Sequence, residues 1–176
     1  MTYADTHQAM LNATRVMQAG AHMVKIEGGD WLCDTVCGLS KRGIPVCAHI
    51  GLTPQSVNKF GGFRVQGREA DKAEILLKDA LALEEAGADA IVLEAIPTIL
   101  AKKISENLRI PTIGIGAGRD TDAQVLVIND ILGLTENPPK FSKNFLVEAG
   151  DIPGAMKKYV HDVKQGIFPE DKHTFT

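Results

Sequence analysis

The chain has 176 residues, 44% of them hydrophobic and 23% charged, with a formal net charge of −3. That leaves room for one soluble domain with a sizeable core and gives no basic footprint for nucleic acid. No apolar run approaches the roughly 20 residues that span a bilayer, and the opening "MTYADTHQAM" lacks the basic and apolar regions of a signal peptide.

In chain order, Ala9, Met10, Ala13, Val16 and Met17 recur at helical spacing over residues 5–19, and Gly20 closes that helix. A strand over 22–27 follows. In "HMVKIEGGD", Val24 and Ile26 alternate with Lys25 and Glu27, so the apolar pair and the charged pair project from opposite faces. A half-exposed antiparallel strand reads this way, and so does a barrel strand with helices outside and chemistry inside. A helix is expected over 30–42, ending near Gly43. Its Cys33 and Cys37 stand four apart, a spacing that shares a helix face, but no nearby His completes a metal site. With Cys47 they form an odd set without a CxxC pair, the pattern of reduced thiols in a cytoplasm.

The next strand spans 45–50, and residues 51–68, "GLTPQSVNKFGGFRVQGR", show no clear period. A long loop at a strand end is either a binding loop or a plain surface excursion, and the first is favoured here. A helix over 69–86 stops at Gly87, a strand covers 89–94, and Thr98 is placed to cap a helix over "TILAKKISENL". Strands over 111–116 and 124–129, a helix over 151–165 opened by Asp151, and a loose tail "FPEDKHTFT" complete the chain. Apolar strands alternating with amphipathic helices indicate parallel βα units in a single domain over 1–176. There are five strand candidates, and counting alone favours an open doubly wound sheet over a (β/α)8 barrel.

Polar residues sit where these strands end. Ligands bind at the carboxyl ends of parallel strands in both architectures, so Lys25, Glu27, His49 and Glu94 are candidates for one site. A lone Lys at a strand end is usually solvated, and a His on an apolar strand is usually structural. Glu94, between "AIVL" and "AIP", must be paired or be driven toward its neutral form by burial, as a general base near neutrality requires. "GIGAG" at 114–118 departs from the dinucleotide fingerprint, with Arg119 in place of its third glycine, and reads as a flexible turn whose N–H groups can approach a ligand.

The segments "AGAHMVKIEGGDW", "PVCAHIGLTPQSVNKFGGFRVQGR", "VLEAIP", "IPTIGIGAG" and "PKFSKNFL" together resemble the ketopantoate hydroxymethyltransferase family, collinearly from about residue 3 to the C-terminus. The resemblance implies a (β/α)8 TIM barrel, here N-terminally truncated to about five of its eight parallel strands, and a homo-oligomer. It implies transfer of a hydroxymethyl group from 5,10-methylenetetrahydrofolate to 3-methyl-2-oxobutanoate, serving pantothenate and coenzyme A synthesis, with Mg²⁺ as cofactor. By the same resemblance Glu94 is the catalytic proton acceptor, Lys25 contacts the 2-oxo acid, Glu27 is associated with the metal, and His49 lies near the substrate. Family members also carry an N-terminal segment with two metal-binding aspartates, in "GDS" and "ADLPF"-type motifs that do not occur here. Two other readings stand beside this one: a non-catalytic remnant that keeps fold and oligomer surfaces, and another Mg²⁺-dependent 2-oxo acid lyase on a similar barrel.

Overall fold

The computed structural model describes residues 2–176. Helix α1 (Thr6–Gln18) is capped by the Asp5 carboxylate, which accepts from the Gln8 N–H at 2.8 Å. Strand β1 (Val24–Glu27) leads through a 3₁₀ turn (Asp30–Leu32) into α2 (Cys33–Ser40). Strand β2 (Val46–Gly51) is buried along its whole length. Within 51–68 a 3₁₀ turn (Pro54–Ser56) and the short helix α3 (Val57–Phe60) precede α4 (Ala70–Glu85). Then come β3 (Ala90–Glu94), α5 (Thr98–Asn107), β4 (Thr112–Ile115), β5 (Ala123–Gln124), α6 (Ile128–Ile131), α7 (Leu146–Ala149) and α8 (Ile152–Lys164). No helix among the described residues is long and apolar enough to cross a membrane.

The five strands form one parallel sheet in the order β1-β2-β3-β4-β5. A doubly wound sheet reverses its order at a switch point and carries helices on both faces. This order never reverses, and successive crossovers of one hand then lay their helices on one face. The packing agrees. Ile26, Val46, Ala48, Ile50, Ile91 and Leu93 share a core with Val36 and Leu39 of α2, Ala80 and Leu83 of α4, and Leu100 and Ile104 of α5. The opposite face holds a smaller cluster of Cys47, Ala90, Val92 and Ile115, covered by Phe141. The strands are therefore singly wound, as in a (β/α)8 barrel, and this chain supplies five of them. Strand order overrides the inference from counting.

Three expectations are corrected. The last strand is only Ala123–Gln124, because the chain turns at Val127 and Ile128–Ile131 is helical; an unbroken apolar run such as "VLVI" does not distinguish strand from helix by period. Thr98 is the first residue of α5 rather than its cap, and both its N–H and its hydroxyl point to the Phe175 carbonyl, at 3.0 and 3.4 Å. The tail is packed rather than loose: Phe168 and His173 are buried, and the Phe175 ring meets Phe141 edge-on at 6.3 Å. Its polar letters hid three ring anchors. The 114–118 turn is closely packed against other parts of the chain. Gly116 and Gly118 have φ of +64° and +82°, and a Cβ at either would collide with the Phe141 ring or with Thr98. These glycines serve close packing.

Candidate active site

Sheet register builds the site. Glu27 of β1 pairs with His49 of β2, His49 with Val92 of β3, and Gly51 with Glu94. Residues two apart on a strand share a face. Lys25, Glu27, Cys47, His49, Val92 and Glu94 therefore line the face opposite the helices, with Glu94 one step beyond His49 toward the carboxyl ends. Val24 and Ile26 pack on the helix side, which selects the barrel-type reading of β1 over the antiparallel one.

The four candidate side chains form one connected chain of contacts. Lys25 Nζ donates to Glu27 Oε1 at 2.8 Å and lies 3.3 Å from His49 Nδ1. His49 Nδ1 is 3.6 Å from Glu27 Oε1, and its Nε2 is 3.1 Å from Glu94 Oε2. That last approach is close but not aligned as a hydrogen bond, so Nε2 is a buried polar atom without an aligned partner. The side chains of Glu27, His49 and Glu94 are 6%, 3% and 13% exposed, against 47% for Lys25, which reaches the site from the solvent edge. Glu94 thus has the His49 ring as its near polar neighbour.

Burial alone would push the Glu27 carboxyl up. The Lys25 ammonium and the Gln55 N–H that reaches Oε2 at 3.1 Å outweigh burial and hold it below its ordinary value. Gln55 belongs to the Pro54–Ser56 turn, so the 51–68 segment does touch the site. Sequence reasoning singled out the segment but not this residue, because a backbone N–H carries no side-chain signature.

The backbone around Glu94 is tightly held. Leu52 N–H donates to the Glu94 carbonyl at 2.8 Å, Ala95 N–H to Ile115 O at 2.8 Å, and Gln66 N–H to Ala95 O at 2.9 Å. Ala95 itself has φ +46°, a left-handed conformation that costs a non-glycine residue about 1 kcal/mol or more. Opposite it, Gly51 has φ +88°, and a Cβ there would strike the Glu94 carbonyl. Strain beside Glu94 is sustained by these three hydrogen bonds.

The residues present do not fit Mg²⁺, which takes about six oxygen ligands, one or two of them carboxylates. Both Glu27 oxygens are engaged, by Lys25 and by Gln55. Among the described residues no three or more His, Cys, Asp or Glu gather as a metal site would need. Asp30 is exposed at the start of its turn, and Asp130 is buried elsewhere, accepting from the Thr135 hydroxyl at 2.5 Å. Cys33, Cys37 and Cys47 are unpaired thiols.

A cavity of about 410 Å³ opens among the 51–68 segment, the end of β1 and α4, lined by Trp31, Thr53, Lys59, Phe60, Leu76 and Asp79. None of the four candidate residues lines it. Its lining by Ile50, Ile75 and Leu76 places it on the helix side of the sheet.

Comparison with known proteins agrees with the motifs. The family model described as ketopantoate hydroxymethyltransferase matches residues 1–171. The chain is 71% identical over 175 residues to the 3-methyl-2-oxobutanoate hydroxymethyltransferase of Saccharophagus degradans, covering 99% of this chain and 65% of that protein. It is 59% identical over 176 residues to the protein of the same name from Alteromonas mediterranea, covering 99% and 67%. The chain thus spans about two thirds of the length of these relatives. Among solved structures, the YdjI aldolase of Escherichia coli K12 is similar at a TM-score of 0.43 and 15% identity, over 94% of this chain and 62% of that one.

Proposed function

This chain belongs to the ketopantoate hydroxymethyltransferase family, and from that premise we propose that it takes part in hydroxymethyl transfer to 3-methyl-2-oxobutanoate, giving 2-dehydropantoate. The observation that carries the reading is the unbroken run of contacts Lys25–Glu27–His49–Glu94 at the strand ends. The one-carbon donor in this reading is 5,10-methylenetetrahydrofolate, the assembly a homo-oligomer and the compartment the cytoplasm, in keeping with three unpaired thiols.

The chemistry follows from the charges. A Glu94 carboxylate oxygen takes the proton from C3 of the 2-oxo acid. The C–H pair becomes the C2–C3 π bond, and the carbonyl pair moves onto oxygen, giving an enolate. Lys25, half-exposed at the rim, meets the substrate's negative charge, while Glu27 fixes the ammonium at 2.8 Å. Water hydrolyses the methylene bridge of the folate, both C–N bond pairs return to the tetrahydrofolate nitrogens, and the one-carbon unit is released at the formaldehyde level. The enolate carbon attacks that carbonyl carbon: the π pair becomes the new C–C bond, the C2 carbonyl re-forms, and the new alkoxide takes back the proton held by Glu94. No step is assigned to Mg²⁺, because these residues alone do not supply its oxygen sphere. That same observation favours a second reading for the isolated polypeptide: it keeps the fold but does not turn over by itself.

Grafting separates the two. The matching 175 residues of the Saccharophagus degradans relative are replaced by this chain, and formation of 2-dehydropantoate is assayed for the graft and for the 176-residue chain. Turnover by the graft supports the reading; a folded but inactive graft overturns it.

A further inference from the structure

We propose that Lys25 fixes His49 as its Nε2–H tautomer, and that this N–H holds Oε2 of Glu94, making His49 a positioning residue that leaves Oε1 of Glu94 to take the proton. The statement about Oε1 rests on the reaction proposed above; the tautomer does not.

A neutral imidazole has one donor nitrogen and one acceptor nitrogen, and its neighbours decide which is which. On one side, His49 Nδ1 stands 3.3 Å from Lys25 Nζ. An ammonium has only donors, so Nδ1 must offer its lone pair. The competing neighbour, Glu27 Oε1, is 3.6 Å away, beyond hydrogen-bond length, and already accepts from Lys25 at 2.8 Å. On the other side, buried Nε2 has no aligned partner among the described residues, and Glu94 Oε2 is 3.1 Å from it.

The opposite tautomer would point an N–H at an ammonium and a lone pair at a carboxylate, two repulsions in place of two attractions. His49 is 3% exposed, so bulk water does not relieve either one. The terminal torsion of a glutamate is soft, and a small turn of the Glu94 carboxylate aligns it with Nε2–H. Register supports the assignment: His49 lies directly across from Glu27, with Glu94 one step further on, so the ring bridges the two carboxylates. Lys25, at the rim, thereby acts on Glu94 through the ring.

The test is ¹⁵N spectroscopy of the ring nitrogens in the 176-residue chain with labelled histidine. The chain has five histidines, and the His49 signals are those lost in His49→Gln. The expected result at neutral pH is a protonated Nε2 and a bare Nδ1. Lys25→Met should abolish that preference, and Lys25→Arg, also donor-only, should keep it. Should Lys25→Met fail to fold, the wild-type spectrum still decides. A wild-type Nδ1–H form, or the evenly mixed tautomers of an unconstrained ring, overturns the proposal. An Nε2–H form in a chain whose graft carries out no transfer would sink the proposed reaction and leave the tautomer standing.

Discussion

Lys25 and Glu27 lie two residues apart on one strand face and are joined by a 2.8 Å hydrogen bond. The pair makes stability depend on pH in a definite direction. The Glu27 carboxyl titrates below its ordinary value of 4.5 in the fold. Its stabilisation is therefore full above that value and fades as pH falls through the depressed one. Glu27→Gln should cost about 1 kcal/mol near neutrality, discounted for the half-exposed Lys25 partner, and less below pH 4.5. Denaturant melts of both proteins from pH 7 to 3 check this. A difference that grows on acidification would contradict it.

His173 gives a second acid dependence in the tail. Burial pushes its imidazole below 6.5, and the positive Lys172, Lys143 and Lys140 nearby add to this while Glu170 opposes it. Its Nδ1 accepts from the Glu170 N–H at 3.2 Å, so protonation there removes the acceptor. The tail's stability is present above 6.5 and is lost as pH falls through the lowered value. His173→Asn, which offers an amide oxygen instead, should flatten that dependence. Hydrogen exchange at the Glu170 amide between pH 7 and 5 measures it; acid acceleration equal in both proteins would refute the assignment.

Ala95, at φ +46° beside Glu94, should tolerate glycine with a change of no more than about 1 kcal/mol, because glycine enters this region freely. Ala95→Val should lose about 2 kcal/mol or more, since a β-branched side chain is poorly accommodated there and the site is buried. Thermal melts rank the two. Equal stability of the two variants would mean that the backbone relaxes and holds no strain.

Much of this was legible in the sequence. The alternation in "VKIE" set the faces of β1, and Asp151 marked the start of α8, its carboxylate accepting from the Gly154 N–H. Convergence of Lys25, Glu27, His49 and Glu94 followed from strand-end placement, although the role of each remains a proposal. What was not legible is long-range. Strand order is set by packing of α2, α4 and α5 on one face, which no local pattern encodes. The tail is held by Phe168 and Phe175 against rings far away in sequence. Gln55 enters through its backbone, and His49's contacts with Lys25 and Glu94 exist only once the strands pair.

Metal binding by this polypeptide should be weak. With Glu27 engaged on both oxygens, titration calorimetry of the 176-residue chain with Mg²⁺ should show no saturable site below about millimolar, since Mg²⁺ dehydrates reluctantly without several oxygen donors. A micromolar site would mean that Glu27 gives up Lys25 for the ion.

The central claim is that Glu94 is the base that opens the reaction. Deuterium exchange at C3 of 3-methyl-2-oxobutanoate, followed by proton NMR without any folate, isolates that step. It is measured in the Saccharophagus degradans graft carrying this chain, as wild type and as Glu94→Gln. The amide keeps the shape of the side chain but accepts no proton, so exchange should fall by about 10²–10⁴, with substrate binding largely retained. Exchange at an undiminished rate in Glu94→Gln would show that another group is the base.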